Sequence, residues 1–183
     1  MWVPQDETAL GGAEIEYQDD PWRTVYVKCP VCDDLGKLGQ YGDLSKMFFL
    51  SWTTTIWTLP GNLAIAVHPR ASYVLVRAES GEQYILAEAL CAKVMKVGGI
   101  EHYEIVKQFQ GSDFEYMLAQ HPFLHQTSQL CCAEYVPLDR GTGRVHTAPG
   151  FGPVHPDTCQ RHTIHLLLPV AHHGRHHAPP RPS

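Results

Sequence analysis

The sequence predicts a mostly β protein with short helices, and three observations carry that expectation. Apolar residues fall in short runs without helical period, at 24–28, 47–50, 63–67 and 73–77, and such runs read as buried strands. Turn chemistry separates them: Asp19-Asp20-Pro21, Pro60-Gly61-Asn62 and Glu79-Ser80-Gly81-Glu82. Proline presets φ there, and glycine or asparagine accepts positive φ. Helical composition is confined to 87–95, ended by Gly98-Gly99, and to a capped turn at 111–115.

Taken in order, residues 1–13 carry no periodic pattern and read as a leader or hinge. Residues 14–17 alternate as a short strand, and 24–28 form a clear one. A glycine-rich loop is expected over 35–44. After the hairpin at 79–82, the chain returns as a strand over 83–86. Residues 103–109 alternate well enough for another strand. His121, before proline in an apolar setting, reads as a satisfied structural histidine. A last strand is expected over 130–136, with Cys131 and Cys132 pointing to opposite faces.

Composition narrows the function classes. With 183 residues and 44% hydrophobic content, the chain can bury one sizeable core. No apolar run reaches the roughly 20 residues that a membrane helix needs, and the N-terminal residues lack the pattern of a signal peptide. The six cysteines are therefore expected as reduced thiols in the cytoplasm, in a monomer without membrane contact. A formal charge of −5 supplies no general attraction to phosphate. Cys29-Pro30-Val31-Cys32 has the spacing of half a zinc site or a redox pair. The next cysteine is Cys91, and no helix follows to lower a thiol pKa. Neither a metal nor a cofactor is expected.

The chain is organised around Trp52-Thr53-Thr54-Thr55-Ile56-Trp57-Thr58-Leu59-Pro60-Gly61-Asn62. A strand should run into a turn here and then into a second strand. Hydroxyls between indole walls suit a small pocket that stacks a ring and hydrogen-bonds a compact ligand. About ninety residues later comes Gly141-Thr142-Gly143-Arg144-Val145-His146-Thr147-Ala148-Pro149-Gly150-Phe151-Gly152. These segments resemble the WTTTxWTLPxN and GTGxVHTAPGFG motifs of the editing domain inserted in isoleucyl-tRNA synthetases, a likeness covering roughly residues 9–152.

The resemblance implies a closed or nearly closed β-barrel over 14–153. It also implies hydrolysis of valine wrongly esterified to isoleucine tRNA. The partners would be the tRNA(Ile) 3′ end carrying valine and the remainder of the synthetase. By the same resemblance Thr53, Thr54 and Thr55 would serve the terminal adenosine and a positioned water. Trp52, Trp57, Thr58, Asn62, Gly143, His146 and Thr147 would bind substrate, with His146 narrowing the pocket. His155 stands where the family places an aspartate for the substrate's α-amino group. No HIGH-like or KMSKS-like segment occurs, so the chain is expected to lack the ATP-dependent synthetic site. From 154 to 183 the composition turns His- and Pro-rich, and this diverged tail is expected to be partly disordered. The rival reading is a non-catalytic metal- or partner-binding module derived from a decayed editing domain.

Overall fold

The computed structural model describes residues 24–148 and the short pairs at 2–3 and 8–9. The strand expected over 14–17, His155 and the tail from 154 lie outside the described residues. Within the expected leader, β1 (Trp2–Val3) and β2 (Thr8–Ala9) pair antiparallel.

The remaining strands form one sheet. They are β3 (Val25–Asp33), β4 (Met47–Thr53), β5 (Ala64–Val67), β6 (Ser72–Ala78), β7 (Gln83–Ala87), β8 (Tyr103–Gln110), β9 (Leu118–Gln120), β10 (Thr127–Cys132) and β11 (Arg144–Thr147). Their order is β11-β5-β10-β9-β3-β4-β7-β6-β8, and β11 also pairs back onto β4. That pairing closes β11, β5, β10, β9, β3 and β4 into a six-strand barrel. The hairpin β6–β7 and strand β8 continue outward from β4.

Strand β4 explains how closure and extension coexist. One edge pairs antiparallel with β3, from Phe48 opposite Pro30 to Thr53 opposite Val25. Its other edge is shared. Met47–Phe49 pair with β7, and Trp52 pairs with Val145 of β11. Met47, Phe49, Ser51 and Thr53 point inward and are buried, while Phe48 and Trp52 on the other face are half-buried.

Four expectations need correction. The strand at 24–28 continues to Asp33, because Phe49, Phe48, Ala119 and Leu118 supply partners that far. Pro30 is accommodated next to a register shift between Val31 and Asp33. The helix expected from Ala87 starts later. Residues 83–87 are a fully buried strand, followed by a 3-10 turn (Glu88–Leu90) and α1 (Cys91–Val97). Pairing of β7 between β4 and β6 overrides the helical propensity of Ala87. Strand β10 runs over 127–132 rather than 130–136. Its parallel partner β5 ends at Val67, and the last bond along that edge runs from Ala133 N–H to the Val67 carbonyl. Between β4 and β5 the chain forms a 3-10 helix (Ile56–Gly61) rather than a tight turn.

Other expectations match the geometry. β6 and β7 form the hairpin. Gln110 and Asp113 cap the 3-10 turn Gly111–Phe114 reciprocally. Within the expected 35–44 loop, Gly39–Tyr41 adds one 3-10 turn. Cys29 is buried inside the barrel and Cys32 is exposed outside it. A C-x-x-C pair along a strand necessarily faces opposite ways, so the two thiols do not converge. Cys131 joins the small outer cluster with Ala64 and Ala66, whereas Cys132 packs against the main core. Among the described residues, no three His, Cys, Asp or Glu side chains gather around a common point. No helix of the described residues is long and apolar enough to cross a membrane.

Arg144 sits in the middle of the core. It is 1% exposed, with its guanidinium 4.7, 5.2 and 5.5 Å from the ring centres of Phe49, Tyr73 and Phe114. Its Nη1 donates to the Ile85 carbonyl at 2.6 Å. Burial lowers its pKa to about 10, with Tyr73 and Cys29 acting the other way. The group therefore stays charged at neutral pH, carried by ring faces and one carbonyl.

His121 is also buried. Its Nε2 lies 2.7 Å from the Leu59 carbonyl, and its Nδ1 accepts from the Phe123 and Leu124 amides at 3.3 and 3.1 Å. Nε2 therefore carries the ring proton. Burial lowers the pKa of His121 below its ordinary 6.5, against the opposing pull of the Leu59 carbonyl. The unfolded chain takes up a proton as pH falls past about 6.5 while the folded one does not. This contribution to stability is present above pH 6.5 and is lost as pH falls through the lowered folded value. Urea unfolding of His121→Asn should show a flatter fall of stability below pH 6.5 than the native chain; equal slopes would refute the linkage.

Candidate active site

The threonine-rich stretch is shaped by its own hydrogen bonds. Thr53, the last residue of β4, points into the barrel end, and its Oγ1 accepts the Thr55 amide at 3.0 Å. This contact is a local side-chain turn of the kind threonine favours. The two hydroxyls, Thr53 Oγ1 and Thr55 Oγ1, are 3.3 Å apart. The 3-10 helix then brings Thr58 back above Thr55. Its amide and hydroxyl both donate to the Thr55 carbonyl, at 3.2 and 2.7 Å.

The second motif reaches the same place from β11. His146 is 8% exposed, and its Nε2 lies 3.0 Å from Thr58 Oγ1, linking residues 88 apart in sequence. Together they bound a cleft of about 360 Å³. Trp52, Thr53, Thr54, Thr55, Trp57 and Thr58 line it from one side, and Val145, His146 and Ala148 from the other. Trp57 is 59% exposed, so an indole face is open to stack on a ligand ring.

Three residues expected at the substrate stand behind this wall. Asn62 is buried, with Nδ2 donating to Ser128 Oγ at 3.0 Å; it supports the start of β5. Thr147 is fully buried, being on the other face of β11 from His146. Gly143 receives the Tyr73 hydroxyl on its carbonyl at 2.5 Å. Its φ is +70°, and a Cβ there would lie 2.3 Å from the Ala87 Cβ. Val145 and Ala148, within the 143–148 span expected to share a pocket with Thr53–Thr58, do line the cleft. The burial of Arg144 was missed. Period-two alternation from His146 would have placed it inside the barrel.

The hairpin β6–β7 holds the second motif in place. Ala87 N–H donates to the Thr142 carbonyl at 3.0 Å, Tyr73 to Gly143, and Arg144 to Ile85. Among the described residues, the cleft lining includes hydroxyls, indoles and one imidazole but no carboxylate, ammonium or guanidinium. Such a lining can orient a water and a polar neutral ligand beside a stacked ring.

A closed barrel with this cleft at its end has the fold of a synthetase editing domain. The chain superposes on the GlLeuRS-CP1 structure with a TM-score of 0.60 and 16% identity, over 79% of this chain and 66% of that one. It matches the P. knowlesi cytosolic leucyl-tRNA synthetase editing domain with a TM-score of 0.59 and 11% identity, over 69% and 58% of the two chains. At such identities the likeness is one of fold.

In sequence the chain is similar to isoleucine–tRNA ligases. It is 46% identical over 175 residues to the isoleucine–tRNA ligase of Caldicellulosiruptor bescii, and 44% identical over 173 residues to that of Geobacillus thermodenitrificans. Each match covers 94% of this chain and 19% or 18% of the relative. The chain thus spans about a fifth of the length of the curated relatives it matches. No protein-family model matches it. The covered share also corrects the expected limit at Gly152. About 11 residues remain unmatched, fewer than the 30 from 154 to 183, so the likeness runs into the His- and Pro-rich tail.

Gly143→Ala should combine a strained φ with a clash against Ala87, destabilising the chain by about 2–4 kcal/mol. Gly81→Ala shares the positive φ but has open space around its Cβ, and should cost only about 1 kcal/mol. Urea denaturation of both compares them, and equal losses would show that the Ala87 contact is immaterial.

Proposed function

We propose that the cleft hydrolyses the ester linking valine to isoleucine tRNA. The observation that carries this reading is the meeting of Thr53, Thr55 and Thr58 with His146 in one cleft. Selecting valine after synthesis is chemically necessary. One methylene separates valine from isoleucine, worth about 1–3 kcal/mol in a single pocket, so a second selection must follow the first.

In this reading the terminal adenosine stacks against the exposed indole of Trp57 and bonds the Thr53–Thr55 hydroxyls. Those hydroxyls also orient the attacking water. No covalent nucleophile is needed, because a held water beside a held ester gains most of its advantage from proximity. Thr58 and His146 bound the amino-acid end, where isoleucine would be excluded. The chain would act on the tRNA 3′ end as a monomeric unit in the cytoplasm, with the rest of a ligase about five times its length delivering the substrate. Asn62, Gly143 and Thr147 support the wall rather than touch substrate. No arrangement among the described residues favours the metal-module alternative.

Deacylation of valyl-tRNA(Ile) tests the assignment. Thr55→Val keeps the shape of the side chain and removes its hydroxyl, and should lower the rate about tenfold through one lost hydrogen bond. A native chain inactive on valyl-tRNA(Ile), or a variant as fast as the native chain, would refute the role. His155 occupies the position where the resemblance expects an aspartate. A carboxylate facing the α-ammonium is worth about 1.5–3 kcal/mol, so His155→Asp should raise the rate roughly ten- to a hundredfold. Equal rates from pH 5.5 to 8 would show that the amino group binds elsewhere.

A further inference from the structure

The Thr55 carbonyl oxygen and the Thr58 hydroxyl oxygen are 2.7 Å apart. A carbonyl has no proton, and two oxygens approach this closely only with a proton between them. That proton is the hydroxyl's own, and it has only one. Thr58 Oγ1 nonetheless sits 3.0 Å from His146 Nε2. With its proton committed to Thr55, the hydroxyl can meet the ring only as an acceptor, so Nε2 must bring the proton.

The surroundings leave this arrangement little freedom. Thr55 and Thr58 belong to one 3-10 turn, and the Thr58 amide donates to the same carbonyl as its hydroxyl. The far end of that turn is pinned by His121 on the Leu59 carbonyl. On β11, His146 stands opposite Ile65, which is fully buried. The Thr58–His146 contact is itself buried, so water does not compete for Nε2.

We propose that Thr58 is a positioning residue that holds His146 as its Nε2–H tautomer and fixes the ring where it bounds the cleft. The tautomer assignment stands on the geometry alone. Its consequence for selection rests on the deacylase reading: the Thr58 hydroxyl helps to hold the imidazole where it excludes the larger amino acid.

Two substitutions separate these statements. Thr58→Val keeps the branched shape lining the cleft and removes the acceptor, so any change must act through His146. Thr58→Ser keeps the acceptor. Ring ¹⁵N–¹H correlation spectra of the full chain with labelled histidine, His146 being identified by its loss in His146→Gln, read the tautomer without substrate. The native chain and Thr58→Ser should show the Nε2–H signature, and Thr58→Val should show a second, Nδ1–H population. A native Nδ1–H ring, or a Thr58→Val spectrum identical to the native one, overturns the proposal. If Thr58→Val does not fold, the native and Thr58→Ser spectra still decide the tautomer.

The second readout is the ratio of valyl- to isoleucyl-tRNA(Ile) hydrolysis. It should narrow about tenfold in Thr58→Val, one methylene's worth of selection. An unchanged ratio beside a shifted tautomer overturns the selection half. Absence of hydrolysis in every form instead refutes the deacylase reading, and the spectra still judge the tautomer.

Discussion

The molecule depends on the division of one strand edge. The first half of β4 pairs with β7 and its end pairs with β11, while β3 holds the opposite edge throughout. Without the β11 contact the sheet would stay open, with exposed backbone groups at two edges. Without the β7 contact, the β6–β7 hairpin would lose its place beside the barrel. The candidate cleft lies where β4 ends, and both motifs reach it because β4 carries one and pairs with the strand that carries the other.

Arg144 connects this division to the core. It lies on β11, yet its guanidinium reaches across to the Ile85 carbonyl on β7 and rests among three rings. Tyr73 adds a hydroxyl to the Gly143 carbonyl. The elements that leave the barrel therefore hold the segment that closes it. A buried cation without a carboxylate partner would normally be unfavourable. Here aromatic faces and a carbonyl replace hydration, and a planar guanidinium fits such a box in a way an ammonium does not.

The threonine stretch works differently, through local bonds. Thr53 accepts from Thr55, Thr58 donates to Thr55, and the 3-10 turn aims Trp57 outward while Thr58 faces His146. Serine and threonine residues that compete with regular secondary structure are well suited to such a bend. The hydroxyl cluster is thereby shaped before any ligand arrives.

The sequence by itself determined the strand-rich class, the β6–β7 hairpin and the two motifs, because short apolar runs, turn residues and long residue patterns are local properties. It also determined that Cys131 and Cys132 face opposite ways, since alternation along a strand is local too. Tertiary structure decided the rest. The extension of β3 through the C-x-x-C pair and the loss of the first helical residues to β7 depend on which strands lie alongside. So do the placement of Asn62, Gly143 and Thr147 behind the cleft wall and the burial of Arg144. A strand's partner, and therefore which of its side chains meets a ligand, is set by segments up to about ninety residues away, and no local pattern carries that information.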